Sequence, residues 1–367
     1  MADLRQAMVE VEEQPALLRE LWETRDAWAH GLAGLCHERT FSRLLFVGNG
    51  SPYYAGQTLR FAAERLLGVN ADSVPAAVFH NHGGFDASGR LDPREVLLVC
   101  PAETGHSKGQ VDAARRAREL GVATVCTTLN PTGVLARECD VVLPKPGAPE
   151  RSIAATKNQT MALFLVLTSM VEAAHVLGRV SDDEHARLMG ALEAVPDNVE
   201  ATIADSRAWF EANADRLMTA PQFFLIGYGP NYGTVQEGAL KFYETHERPT
   251  YAFELEECLH GPFRALHADD MCVFLSAEAG PERDRMGLMA RAIEPYCRNR
   301  VVVQSVLQDR ADDALAIHSG DVEFVSTLEY LVPLQVIAVL MAERLGIDLT
   351  QPKVAALDDI MEPAYTD

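Results

Sequence analysis

The sequence predicts an α/β protein made of two consecutive domains, each a parallel sheet flanked on both faces by helices. Three observations carry this expectation. Short apolar runs alternate with helical stretches through both halves of the chain, the pattern of a parallel sheet covered by its own crossover helices. Residues 44–50 (LLFVGNG) and 223–229 (FFLIGYG) repeat one design, a buried strand closed by GxG that opens a helix. Finally, 367 residues are more than one core usually holds, and two domains of ordinary size fit that length.

Residues 1–40 read as an N-terminal helical segment, with Leu17, Leu18, Leu21, Trp22 and Trp28 near helical spacing after Pro15. The first domain is expected over 41–180. Its strands fall at 44–47, 74–79, 96–100, 122–127 and 141–143, and its helices at 53–67, 108–120 and 156–177. A helical connection, 181–215, leads to the second domain at 216–347. That domain has strands at 223–226, 271–275, 301–306 and 322–325, and helices at 233–246, 282–296 and 330–345. A tail, 348–367, follows. Each GxG also fits the first half of a dinucleotide turn, but GNGSPY and GYGPNY lack the third glycine of that fingerprint.

Composition excludes some partners. A formal net charge of -21 leaves no basic surface for nucleic acid or an anionic membrane. The apolar runs at 161–167 and 331–341 are shorter than the roughly 20 residues of a bilayer span, and the acidic N-terminus lacks an export signal. The seven cysteines are scattered without CxxC or zinc spacing, so reduced core residues and a cytoplasmic location are expected. Any phosphate site must then be built locally, from amides, hydroxyls and a lysine.

The stretch 223–266 concentrates the chemistry. A helix carries Glu237, Lys241 and Glu244, and a following loop carries Glu257 and His260. A helical carboxylate and a loop histidine are the groups an enzyme needs to move protons at neutral pH. Spacing alone favours an ordinary helical charge ladder for Glu237, Lys241 and Glu244.

EGALKxxE (Glu237, Gly238, Ala239, Leu240, Lys241, Glu244) followed by ExxHGP (Glu257, His260, Gly261, Pro262) resembles the sugar isomerase (SIS) domain family. The isomerase half of glucosamine-6-phosphate synthase, fructosamine-6-phosphate deglycases and sugar-phosphate deaminases belong to it. The resemblance implies two tandem SIS domains of doubly wound, flavodoxin-like architecture. It implies Glu244 as the base shuttling a proton between C1 and C2, and His260 as the ring-opening or leaving-group acid/base. It places Lys241 near the substrate. In relatives this histidine comes from the neighbouring subunit, so a homodimer with His260 contributed across subunits is implied. Glu13-Gln14-Pro15 match the EQP that opens the SIS half, which implies an isomerase half without the glutaminase domain.

By the same resemblance the sugar phosphate is held by loops reading approximately GTS, SxSGxT and ASTK. This chain has Gly50-Ser51-Pro52, Ala102-Glu103-Thr104-Gly105-His106-Ser107 and Ala154-Ala155-Thr156-Lys157 in those places. Gly50, Ser51, Thr104, Ser107 and Thr156 are therefore the expected substrate and phosphate contacts. Pro52, Ala102 and Ala155 remove three hydroxyls. Lys108 and His106 are candidate replacements, and a solvated helix start explains them equally. Glu150, in PERSIAATK, matches a family glutamate and is expected to support the loop; Glu254 and Glu256 are expected in solvent. His80, Asn81 and His82 form a polar cluster with no third ligand at metal spacing, so a substrate-side or plain loop role is expected and no metal.

The tail departs most from the family. Leu357 stands where relatives have a catalytic lysine, so glutamine-dependent synthesis of glucosamine 6-phosphate is not expected. The function implied is C1/C2 proton transfer on a ketose or amino-sugar phosphate, as a deglycase or deaminase or as an aldose–ketose isomerase. No cofactor is needed, because the substrate's carbonyl and the derived imine are the electron sink. Two alternatives stand beside it: a non-catalytic sugar-phosphate sensor, and an SIS enzyme for an unphosphorylated sugar or cyclic ketone.

Overall fold

The computed structural model describes residues 3–311 and 313–365. The chain divides into two compact units. One gathers the chain up to Pro15, Arg151–Lys157 and Ala194–Gln351; the other gathers Ala16–Glu150, Asn158–Glu193 and the chain from Pro352.

Helices α1 (Gln6–Glu12), α2 (Gln14–Glu23) and α3 (Gly31–Glu38) lead in. The first sheet is then laid down as β1 (Arg43–Gly48), α4 (Ser51–Ala62), β2 (Asn70–Pro75), the single turn α5 (Ala76–Val78), β3 (Val96–Pro101), α6 (Lys108–Leu120), β4 (Ala123–Thr128) and β5 (Val141–Pro144). Its five strands are parallel, in the order β2-β1-β3-β4-β5. This is the doubly wound, flavodoxin-like order. Every residue of β3 and β4 is buried, as central strands of a covered sheet must be. Leu45, Val47, Leu98, Cys100 and Cys126 pack with Val111 and Ala114 of α6.

Helices α7 (Lys157–Val176) and α8 (Asp182–Thr219) follow. Helix α7 is long and apolar enough to cross a membrane, contrary to the expectation from its central run alone; 83% of its most apolar window is buried in the fold.

The second sheet is built from β6 (Phe223–Gly227), α9 (Pro230–His246), β7 (Thr250–Glu254), β8 (Met271–Ser276), α10 (Pro281–Ala292), β9 (Asn299–Ser305) and β10 (Ala314–Ile317), and α11 (Ser326–Leu345) and α12 (Ala355–Met361) end the chain. Its order, β10-β9-β8-β6-β7, is that of the first sheet read from the other edge, and all its strands are parallel. The repeat extends to the backbone. Gly50 (φ 62, ψ -134) and Gly229 (φ 51, ψ -136) make the same turn between strand and helix, in a region that only glycine enters at little cost.

Two strand expectations fail. The second strand is Asn70–Pro75, not 74–79. It is an edge strand of small alternating residues without an apolar run, while Ala76–Val78 coils after Pro75 and sends buried Phe79 inward from a helical turn. Residues 322–325 are no strand either. Phe324 (φ 69) turns the chain into α11, and the fifth strand is Ala314–Ile317, four residues with little β signal of their own. All seven cysteines are free; six are buried and Cys139 is half-buried.

Candidate functional site

In doubly wound sheets ligands bind outside the carboxyl ends of the strands, where the strand order reverses. The reversal lies beside β1 in one sheet and beside β6 in the other. The GxG turns and the loops after β3 and β8 occupy those ends.

In the second-sheet unit, Gly229 releases α9, whose Glu237, Lys241 and Glu244 share one face at offsets of four and three. Gly238 lets this helix pack closely: a Cβ there would lie 2.4 Å from Leu334 Cδ1. The side chains of Glu237 and Lys241 are each 1% exposed, and that of Glu244 is 26% exposed. Lys241 Nζ lies 2.6 Å from Glu244 Oε2 and 3.3 Å from Glu237 Oε1. A solvated ladder would keep all three in water, so burial decides against that reading of the helix. Of the three, Glu244 alone reaches the surface.

Further along α9, His246 is buried against Phe223 and Phe242. Burial, helped by Arg248, pulls its imidazole down to about 3, so it is neutral at physiological pH.

The loop after β7 is organised by Glu254, whose Oε2 accepts the amides of Glu256 and Glu257 at 2.8 and 3.1 Å. Glu254 is thus part of the loop's frame, against the expectation of a solvated residue. Glu256, by contrast, is exposed and pairs with Arg285 at 2.6 Å. Cys258 is buried and donates to the Leu255 carbonyl at 3.0 Å, fixing the turn that carries Glu257 and His260. Both of these are exposed. Gly261 takes φ 133 directly after His260. Among the described residues the His260 imidazole has no hydrogen-bond partner, and the chain does not join it to Glu244.

In the first-sheet unit, Gly50 and Ser51 make the turn into α4, and Ser107 stands before α6 without capping it through its side chain. Thr104 lies half-buried between them in sequence. The tail of the chain reaches this loop. The Lys108 amide donates to the Pro363 carbonyl at 3.0 Å, the Tyr365 amide donates to the His106 carbonyl at 2.8 Å, and Ser107 bridges Ala364. Lys108 Nζ lies 3.2 Å from Glu362 Oε2. Lys108, expected as a replacement cation for phosphate, is therefore engaged by the chain's own tail through both its amide and its ammonium. Tyr365 anchors the tail by donating to Asp112 at 2.7 Å and lying under the Arg115 guanidinium.

Thr156 is fully buried in the second-sheet unit, its carbonyl accepting from Gln335 at 3.1 Å. Glu150 does support its loop, receiving the Asn158 backbone amide and Nδ2 at 3.3 and 3.0 Å. Sequence reasoning missed what surrounds it. Lys145, at the end of β5, is 6% exposed, and desolvation pulls its amine down to about 8 despite the nearby Glu103 and Glu150 carboxylates. A lone lysine flanked by Pro144 and Pro146 at the end of an apolar strand was the available signal. Glu278, after β8, is a second miss: burial pushes its carboxyl up to about 7, although Ser326 donates to it.

His80, His82 and Arg116 line a groove of about 480 Å³ in the first-sheet unit. His80 Nε2 bonds the Gly109 carbonyl at 2.9 Å, tying the loop to α6. Among the described residues no three His, Cys, Asp or Glu side chains are arranged to hold a metal ion.

Residues 40–171 match the SIS domain family. Glutamine–fructose-6-phosphate aminotransferase (isomerizing) of Zymomonas mobilis is 26% identical over 321 residues, covering 85% of this chain and 51% of that protein. The chain spans about half the length of the curated relatives it matches. The C-terminal domain of glucosamine-fructose-6-phosphate aminotransferase from Francisella tularensis has the same fold, with a TM-score of 0.83 at 18% identity over 95% of this chain and 98% of that one. Glucosamine-6-phosphate deaminase from Thermotoga maritima follows with a TM-score of 0.72 at 20% identity over 95% and 99%.

Proposed function

We propose that this chain, whose residues 40–171 match the SIS domain family, is a phosphosugar-processing enzyme transferring a proton between C1 and C2 of a ketose or amino-sugar phosphate. The observation that carries the reading is Glu244, tethered to buried Lys241 at 2.6 Å yet open to solvent. A base must be positioned and must also be reached, and Glu244 meets both needs.

In this reading His260 opens the ring by protonating the ring oxygen while the anomeric hydroxyl gives up its proton. Glu244 takes the C1 proton, and the electron pair forms the C1–C2 double bond of an enediol or enolamine. Glu244 then returns the proton to C2. An enediol yields the aldose; an enolamine yields a C1 imine that water hydrolyses, releasing the amine. Ser51, Thr104 and Ser107 are the hydroxyls proposed for the phosphate. The exposed His260, with no hydrogen-bond partner of its own, suits donation to a second copy of the chain, and a homodimer belongs to the proposal.

The engagement of Lys108 by the tail favours one alternative, an unphosphorylated substrate. Proton NMR in D2O of fructose 6-phosphate, glucosamine 6-phosphate and a fructosyl-amino-acid 6-phosphate tests the proposal. Deuterium incorporation or amine release that vanishes in Glu244→Gln is expected. A folded wild type that exchanges nothing on any of them would sink it.

A further inference from the structure

The groove lined by His80, His82 and Arg116 lies away from the ligand ends of the first sheet. Val96, the first residue of β3, and Leu120, the last of α6, both line it, so it faces the amino ends of the strands, opposite the GxG turn. Its volume of about 480 Å³ suits a small organic molecule. The Arg116 guanidinium reaches over the Phe79 ring at 5.9 Å and stands opposite Gly84, where an added Cβ would lie 3.5 Å from Nη2. Gly84 has φ 56, which a side chain would strain, and so keeps the backbone beside the guanidinium bare. Among the described residues neither Arg116 nor His82 has a hydrogen-bond or ion-pair partner. The carboxylate that lines the groove, Asp86, is already engaged. It accepts from the amides of Ser88, Arg90 and Leu91 at 3.0, 2.7 and 2.9 Å and from the Ser88 hydroxyl at 2.8 Å. These donors, Leu91 foremost, hold its carboxyl well below the usual carboxylate range. The groove thus sets an unanswered guanidinium beside an apolar wall of Phe85, Leu91, Pro93 and Leu120, in a chain whose formal net charge is -21.

We propose that this groove is a second ligand site, which takes the oxyanion of a small organic phosphate or carboxylate that carries an apolar body. It is separate from the loops of the sugar-phosphate reading above and does not depend on that reading. A cation in the groove would face Arg116, while Asp86 already holds its own loop. A neutral ligand would cover the apolar wall yet displace water from the guanidinium without replacing its acceptors. An oxyanion meets both needs. The guanidinium fork donates two parallel N–H bonds to it, and the body of the ligand covers Phe85 and Leu120.

Hydrogen-exchange mass spectrometry of the full chain, titrated with phenyl phosphate, benzoate and benzylamine in turn, tests this. The first two carry the two kinds of oxyanion on the same apolar ring, and the third is a cation of like size. Phenyl phosphate or benzoate is expected to protect residues 79–91, where benzylamine does not, and the one that protects at lower concentration names the head group. Arg116→Gln, at an exposed position, is expected to raise the midpoint of that protection about tenfold. Arg116→Lys, which keeps the charge and loses the planar fork, is expected to fall between the two. Protection of 79–91 by neither oxyanion, equal protection by benzylamine, or an unchanged midpoint in Arg116→Gln overturns the site. Protection confined to residues 48–56 and 102–108 places the anion at the strand ends of the sugar-phosphate reading; it overturns the groove and leaves that reading standing.

Discussion

Lys241 places its ammonium 2.6 Å from Glu244 and 3.3 Å from Glu237 while its own side chain is all but sealed from water. Removing one partner of a buried ion pair costs far more than removing an exposed one, about 3–5 kcal/mol. Lys241→Met is therefore expected to lower the urea midpoint sharply, whereas Glu244→Gln, at the half-open end of the chain of charges, is expected to lower it little. Catalytically the order reverses. Glu244→Gln removes the proposed base and is expected to cost about 10²–10⁴-fold in kcat. A Glu244→Gln protein that keeps wild-type turnover would remove Glu244 from the chemistry.

His260 is exposed and Glu244 lies on another element, with no bond between them within the chain. If each site of a dimer takes its histidine from the partner, Glu244→Gln and His260→Ala are each inactive alone, yet a mixed dimer rebuilds one intact site. Mixing the two after reversible dissociation is expected to restore about a quarter of wild-type activity, because half the dimers are mixed and each has one good site. No recovery from well-mixed, folded chains would place both residues of a site on one chain.

Much of the fold was legible because its signals are local. The GxG turns, the apolar central strands and the period of the helices are written in adjacent residues, and both sheets follow from them. The edge strands were not legible. Asn70–Pro75 and Ala314–Ile317 have small or polar residues and owe their conformation to the neighbouring strand. The site divides the same way. EGALKxxE and HGP single out Glu244, Lys241 and His260 as candidates by their spacing, but the burial that separates Lys241 from a solvated ladder comes from α11 packing over α9. Lys145, Glu103 and Asn158 are 42 and 13 residues from one another along the chain. Only folding assembles them, so no motif could show them. The tail's hold on Lys108 spans 254 residues and is equally invisible in sequence.

The tail yields a third expectation. Tyr365 holds it through Asp112 and Arg115, and Pro363 occupies the amide that opens α6. Tyr365→Ala is expected to loosen this hold and free an amide and an ammonium suited to an anion. Hydrogen exchange at Lys108 should quicken, and inorganic phosphate should protect that amide more strongly in the variant than in wild type. Unchanged exchange at Lys108 would mean that Tyr365 does not hold the tail in solution.

The last expectation concerns pH. Burial raises Glu278 and Glu329 from 4.5 to about 7, with hydrogen bonds from Ser326 and from Ser319 and Asn198 opposing the shift. The folded protein keeps these protons where the unfolded chain has released them. The protonated carboxyls thus favour folding most below pH 4.5, and that contribution is lost as the pH rises from 4.5 to about 7, beyond which it falls no further. A shift from 4.5 to about 7 corresponds to roughly 3 kcal/mol per group as an upper bound. Glu278→Gln replaces the protonated carboxyl with a neutral amide of the same shape and cannot ionise. Urea unfolding of wild type and variant across this window should therefore show the variant gaining on wild type as the pH rises. Parallel stability curves would show that Glu278 is not protonated in the folded protein.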